Sequence, residues 1–155
     1  MAGIIRVIEI DRGWIRIQKA SAQLNGRQLR VGFPADIVSQ DGTPVAEYAA
    51  YNEFGTEQIP ARPFLRRTID ESRSGFGQYV RRTIDTLLFS GLGTKEFAMD
   101  LLGNWMVARV RRTIQNSPSW AQPNAPSTVA RKEGDHPLID TGLMLRSVTF
   151  RKSRR

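Results

Sequence analysis

The residues of this chain that could do chemistry are few, and their spacing argues against most of it. Residues 91–95 read Gly-Leu-Gly-Thr-Lys, a glycine-rich run ending in lysine of the kind that cradles phosphates. A phosphate loop needs a longer spacer before its Gly-Lys pair and a Ser or Thr after the Lys, and Glu96 stands there instead, so a flexible turn between helices is the better account. A Ser-His-Asp set would have to use His136, the single histidine, but there is no Gly-x-Ser-x-Gly elbow and Pro137 restricts the backbone beside it. Capping or exposure to solvent accounts for that histidine. Asp70 and Glu71 are adjacent, so on a helix their carboxylates diverge and form no acid–base pair. With no Cys and one His there is neither a disulfide framework nor a ligand set for structural zinc, and no EF-hand spacing occurs. The sequence predicts no enzyme, no catalytic residue, no cofactor and no metal.

What remains is charge. The 155 residues carry a formal +8, with 13 Lys or Arg against 12 Asp or Glu up to Asn104 and 10 against 3 from Trp105 onward. Arg outnumbers Lys 19 to 4, which favours forked contacts to phosphate or carboxylate over loosely solvated charge. Arg109, Arg111 and Arg112 fall near the C-terminal end of a predicted helix, where the macrodipole itself favours cations. Arg151, Lys152, Arg154 and Arg155 form a basic tail, expected to order only against something acidic. No zinc finger, RNP-type aromatic run or basic zipper is present. These residues are therefore candidates for non-specific contact with DNA phosphates or with an acidic protein surface, and the sequence leaves both open.

Length suits one domain over residues 1–150, able to bury on the order of 70% of its unfolded surface, with the tail at 151–155 beyond it. No apolar run approaches the roughly 20 residues that cross a bilayer, and the N-terminus lacks the order of a secretory signal. A soluble chain that stays in a reducing compartment or an assembly, with no membrane partner, is expected.

The elements that position these residues are read from period and punctuation. Residues 135–151 give an anchor at His136-Pro137, a short helical turn capped by Asp140 and Thr141, and a strand over 147–151 in which Val148 and Phe150 alternate with Ser147, Thr149 and Arg151. Its predicted partner is 28–33, where Leu29, Val31 and Phe33 alternate with Gln28, Arg30 and Gly32. An edge strand is expected over 4–10, then a helix after Asp11 with Trp14, Ile17, Ser21 and Leu24 on one face. Residues 34–43 read as a loop and candidate contact surface. Thr43 caps a helix with Pro44 at its first position, Val45, Tyr48, Ala49 and Asn52 on one side and Gly55 past its end; Pro60 and Pro63 keep 56–63 extended.

A long helix from Phe64 carries the stripe Leu65, Ile69, Phe76, Val80, Ile84 and Leu87, weakened and open to bending or splitting at Gly75 and Gly77. After a connector at 90–94, a second long helix over 95–115 has Phe97, Leu101, Trp105 and Ala108 as its inner stripe, widened by Leu102, Met106 and Val110. Arg-Arg-Thr-Ile recurs at 66–69, 81–84 and 111–114 at unequal separations, which is amphipathic helix wording rather than a solenoid repeat. The loop over 117–134 keeps Trp120 and a short helix at 126–133. The expected fold class is α+β: a small mixed or antiparallel sheet packed against two long helices, with shorter helices around them.

Two stretches taken together resemble a known family. Residues 50–56 (Ala-Tyr-Asn-Glu-Phe-Gly-Thr) with 59–65 (Ile-Pro-Ala-Arg-Pro-Phe-Leu), and 136–143 (His-Pro-Leu-Ile-Asp-Thr-Gly-Leu) leading into 146–150 (Arg-Ser-Val-Thr-Phe), resemble the tail-completion and virion-morphogenesis proteins of tailed bacteriophages. That broad group includes minor tail proteins of the protein Z type. The resemblance covers 45–65 and 124–150 directly and the intervening helices by layout. It implies a structural virion protein, made in the host bacterial cytoplasm, that assembles as a homo-oligomeric ring in the neck or at the top of the tail, with a hexamer as candidate stoichiometry. There it would complete the tail and help join it to the head, beside neck, connector or tail-tube proteins and non-specifically near phage DNA. It implies no enzyme and no cofactor. Candidate subunit or partner contacts are Phe54, Ile59, Arg62, Phe64, Trp120 and Asp140, with the alternative that they only hold the monomer's fold. A non-specific DNA-binding protein and a minor tail protein at another tail position are the alternative functions.

Overall fold

Leu29 and Val31 lie on strand β1, Arg27–Gly32, in a computed structural model that describes residues 26–89, 94–132 and 134–154. The predicted strand over 4–10, the helix after Asp11, residues 90–93 of the connector, Glu133, Arg155 and the side chain of Leu87 lie outside the described residues. β1 pairs antiparallel with the last strand, β2 (Thr149–Arg154), with Val31 opposite Phe150, Arg30 opposite Arg151 and Arg27 opposite Arg154. The described sheet is this antiparallel pair.

The expected partner of β1 is thus found, but two details are corrected. The strand starts later than 147, because Ser147 still belongs to a helical turn in which its hydroxyl donates to the Leu143 carbonyl at 2.7 Å. The basic tail is not a frayed appendage. Arg151, Lys152 and Arg154 are ladder residues of β2, held by backbone pairing with Arg30, Leu29 and Arg27.

Between the strands run α1 (Val45–Phe54), α2 (Phe64–Phe89), α3 (Lys95–Gln115), a 3-10 turn at Ser117–Ser119, α4 (Pro126–Arg131) and α5 (Leu143–Ser147). Pro44 takes the N-cap position of α1 rather than its first turn, and Thr43 does not cap the helix; the Thr43 amide donates to the Asp41 carboxylate at 3.0 Å. At the start of α3, Thr94 supplies a side-chain cap, its hydroxyl accepting from the Phe97 amide at 3.2 Å.

α2 and α3 form an antiparallel pair. Thr68 meets Thr113 near one end, hydroxyl to hydroxyl at 2.8 Å, and Tyr79 stacks on Trp105 with ring centroids 5.1 Å apart farther along. The seam differs from the predicted stripes. Ile69 is 54% exposed, Phe76 42% and Phe97 45%, while Thr68, Ser72 and Thr83 are buried. The threonine hydroxyls bond back to the preceding turn, Thr68 to Phe64 and Thr83 to Tyr79, so these polar residues fit a tight helix pair without leaving their donors unmet. Each Arg-Arg-Thr-Ile run places its Thr in a buried position. α2 runs unbroken through Gly75 and Gly77, and the open side of Gly75 faces Trp105 and Arg109.

α3 also packs on the ribbon. Its buried side comprises Ala98, Met99, Gly103, Val107, Val110 and Ile114, and the predicted Ala108 is exposed. Gly103 lets the Phe150 ring press against the helix, since a Cβ there would lie 2.5 Å from it. Lys152 reaches Asp100 at 2.7 Å and Arg27 reaches Glu96 at 3.5 Å, so β2 runs antiparallel along α3. Val45, Ala49, Phe64, Leu138, Met144 and Val148 complete the core with the C-terminal half of α3.

Candidate functional site

The first resembling stretch turns sharply, and its polar groups explain the turn. α1 ends at Gly55, where φ is +78° and a Cβ would lie 2.9 Å from the Ala61 amide, so a side chain there would be both strained and obstructed. The Thr56 amide donates to the Ile59 carbonyl at 2.8 Å, and the Thr56 hydroxyl accepts from the Gln58 and Ile59 amides. This doubling-back brings the Arg62 amide within 2.6 Å of the Asn52 carbonyl. It also sets the buried Glu53 carboxylate at the start of α2, where its oxygens accept from the Leu65 and Arg66 amides at 2.7 and 3.0 Å. Pro63, just before that helix, has no side-chain acceptor, so Glu53 does the capping from another helix, and its charge suits the positive end of the dipole.

Arg62 joins the two stretches. Its guanidinium is buried, 5% exposed, and donates to the carbonyls of Gln122 and Pro123 at 2.8 and 3.1 Å and to the side chains of Asn124 and Asn52 at 3.2 and 3.4 Å. Desolvation holds its pKa below the ordinary arginine value. Four oxygens in a planar fork fit guanidinium and not ammonium.

In the second stretch His136 bridges the end of α3. Its Nε2 lies 2.9 Å from the Gln115 carbonyl, one of the acceptors a helix end leaves open, and its Nδ1 lies 3.2 Å from the hydroxyl of the fully buried Ser117. A carbonyl can only accept, so Nε2 donates to Gln115, and Nδ1 shares a hydrogen bond with the Ser117 hydroxyl. Lys132 closes the same loop by donating to the Ile139 and His136 carbonyls at 3.2 and 3.4 Å, and burial lowers its pKa. At α5 the Thr141 hydroxyl accepts from the Leu143 amide at 3.3 Å and Gly142 takes a left-handed φ of +75°, while Asp140 makes no capping bond.

The predicted contact residues divide accordingly. Phe64 is fully buried in the core and Arg62 is bonded within its own chain. Ile59 is half-buried. Trp120 is half-buried, its indole donating to the Thr113 carbonyl at 3.1 Å and its ring lying under the Arg67 guanidinium. Phe54, 72% exposed, and Asp140 face solvent. Asp140 lines a groove of about 720 Å³ with Val38, Asp41, Tyr51, Leu143 and Arg146, formed by the 34–43 loop, α1 and the 138–146 segment. Tyr51 and Phe54 are three apart on α1 and share its face.

The basic residues do not form one patch. Arg109 and Arg112 line a polar cleft between α2 and α3, whereas Arg111 leaves the other side of α3 and donates to the Val148 and Arg146 carbonyls at 3.0 and 3.3 Å. Arg151 sits exposed on the ribbon opposite Arg30, and Lys152 is tied to Asp100. Sequence reasoning missed Glu53, Asn52 and Arg67. For Glu53 a signal existed: a carboxylate a short turn upstream of a helix that begins after proline with no cap of its own.

Asp70 and Glu71 diverge as expected, to Arg73 at 3.4 Å and Arg67 at 2.7 Å. Among the described residues no group of three His, Cys, Asp or Glu side chains comes together as a metal site. No described helix is long and apolar enough to cross a membrane. Comparisons with protein-family models, curated proteins and solved structures match nothing to this chain.

Proposed function

We propose that this chain is a structural virion protein of a tailed bacteriophage, forming a ring in the neck or at the top of the tail that completes the tail and helps join it to the head. The observation that carries the reading is the joining of the two resembling stretches. Arg62 from the first stretch binds residues 122–124, at the edge of the span that leads into the second, and Val45 and Ala49 share a core with Leu138 and Met144 of the second. The polar groups at this junction serve turns and helix ends and hold the two segments in a fixed relation. Beside them Tyr51, Phe54 and Val38 leave an apolar face open to solvent, next to the groove rimmed by Asp41 and Asp140. A second copy is the occupant this reading assigns to that face. Its basic ribbon, with Arg30 and Arg151 exposed and without an ion pair among the described residues, can meet the Asp41 and Asp140 carboxylates, which outnumber the one cation of the groove, Arg146.

The test is genetic and structural. Deleting the gene from the genome that encodes it should give DNA-filled heads and tails that remain unjoined, with joining restored by the wild-type chain supplied separately. Normal infectious particles from the deletion would overturn the reading.

A further inference from the structure

The cleft between α2 and α3 has a composition that ring assembly does not require. It encloses about 330 Å³ and is lined by Arg67, Arg109 and Arg112 against a single carboxylate, Glu71, with Ser72, Asn116 and Trp120 around them. Glu71 is already paired with Arg67 at 2.7 Å, so Arg109 and Arg112 add positive charge that no carboxylate of the cleft answers. Like charges brought together at a helix seam repel, and the arrangement is stabilised once an anion enters.

Two of the guanidinium groups are also held in place. Arg67 lies over the Trp120 ring and Arg109 over the Trp105 ring, each 5.0 Å from the centroid. Trp120 is fixed in turn by its bond to the Thr113 carbonyl at 3.1 Å. Stacking of this kind limits the rotamers of a long side chain before any ligand arrives, which lowers the ordering cost of binding. Arg67 Nε is buried without a hydrogen-bond partner, although its terminal nitrogen serves Glu71. A donor out of solvent and unmet is unfavourable, so the polar demand of this side chain is not fully answered within the chain.

We infer that this cleft is a binding site for a phosphoryl group. A carboxylate brings one charge and two oxygens, whereas a phosphate brings a tetrahedral set of oxygens that can accept from several guanidinium forks together. The two unanswered guanidinium groups, those of Arg109 and Arg112, match this tetrahedral set better than a planar carboxylate. The site stands on these residues alone and does not depend on the chain forming a ring. The group can come from a polynucleotide backbone or from free phosphate.

The test titrates the full-length chain at about 50 mM salt with inorganic phosphate, a short DNA duplex and a poly-glutamate peptide, using calorimetry for affinity and thermal unfolding to check the fold. The variants are R109Q and R112Q in the cleft and R30Q on the exposed ribbon as control. Phosphate should bind the wild type and R30Q alike and lose roughly tenfold in affinity in each cleft variant whose Tm is unchanged. If DNA is the source, the slope of log affinity against log salt falls by about one with each cleft arginine removed. Phosphate binding with DNA affinity indifferent to Arg109 and Arg112 supports the site and assigns it to free phosphate. No phosphate binding, equal loss in R30Q, or poly-glutamate binding as tight as phosphate with the same arginine dependence would each overturn the inference.

Discussion

Glu53 shows how a single side chain can decide the path of a segment. Its two oxygens close the first turn of α2 from a neighbouring helix, and the residue is 7% exposed, so water cannot replace it. Replacing it with Ala should lower unfolding free energy in urea by ~2 kcal/mol, because the amides of Leu65 and Arg66 lose a charged acceptor at the helix start. E53Q, which keeps one acceptor oxygen without the charge, should cost less than E53A; equal costs would mean packing rather than capping is at stake. Asp41 gives a prediction in pH. The Ser39 hydroxyl first, then the Thr43 amide, bond its carboxylate and hold its pKa below 3.8. Its stabilising contribution is thus complete above the unfolded value near 3.8 and is lost as pH falls through the lower folded value. Carboxyl NMR shifts followed against pH should show Asp41 titrating below 3.8, and an S39A substitution should move it upward. The sequence made Gly55 and the prolines legible, because their constraints are backbone constraints that act alone. It did not reveal Glu53 as an internal tie and left Arg62 open between partner contact and support of the fold, because their partners are supplied by other segments.

Among the elements, the long helices were placed from the sequence and their faces were not. Hydrophobic spacing put Ile69 and Phe97 inside, yet the seam took Thr68, Ser72 and Thr83; the Thr68 and Thr83 hydroxyls bond within their own helix, and Thr68 also meets Thr113. Periodicity counts apolar residues and is blind to a polar group that carries its own acceptor. The tail was misread for a related reason. Charge suggested fraying, but a strand is held by its backbone, and Arg151 through Arg154 need only β1 beside them. Amides facing β1 in the last strand should therefore exchange far more slowly than those of an open terminus. Two glycines separate packing from propensity. G103A should destabilise by about 1–3 kcal/mol, since its Cβ meets the root of the Phe150 ring at 2.6 Å and overpacking outweighs the gain in helix propensity. G77A, with open space around it, should stabilise by up to about 1 kcal/mol. Chemical denaturation of both variants checks the pair, and the same sign for both would refute the packing account of Gly103.

At the scale of the molecule, what faces outward is as informative as what is enclosed. A core around Phe64, Ile114, Leu138 and Val148 leaves Phe54 72% exposed and Val38 53%, close to a groove with carboxylates at its rim. Single exposed apolar residues are ordinary on a protein surface; Tyr51 and Phe54 on one face of α1, with Val38 exposed on the 34–43 loop, make the kind of grouping an interface between copies uses. Since solvent already surrounds most of Phe54, F54S removes little that the monomer gains by folding, and its unfolding free energy should stay within about 0.5 kcal/mol of the wild type. Its effect should fall on association. In sedimentation velocity the wild type should shift to larger species as concentration rises, and F54S should need a higher concentration for the same shift. A variant that melts well below the wild type yet self-associates as strongly would place Phe54 in the fold and remove this face from the assembly.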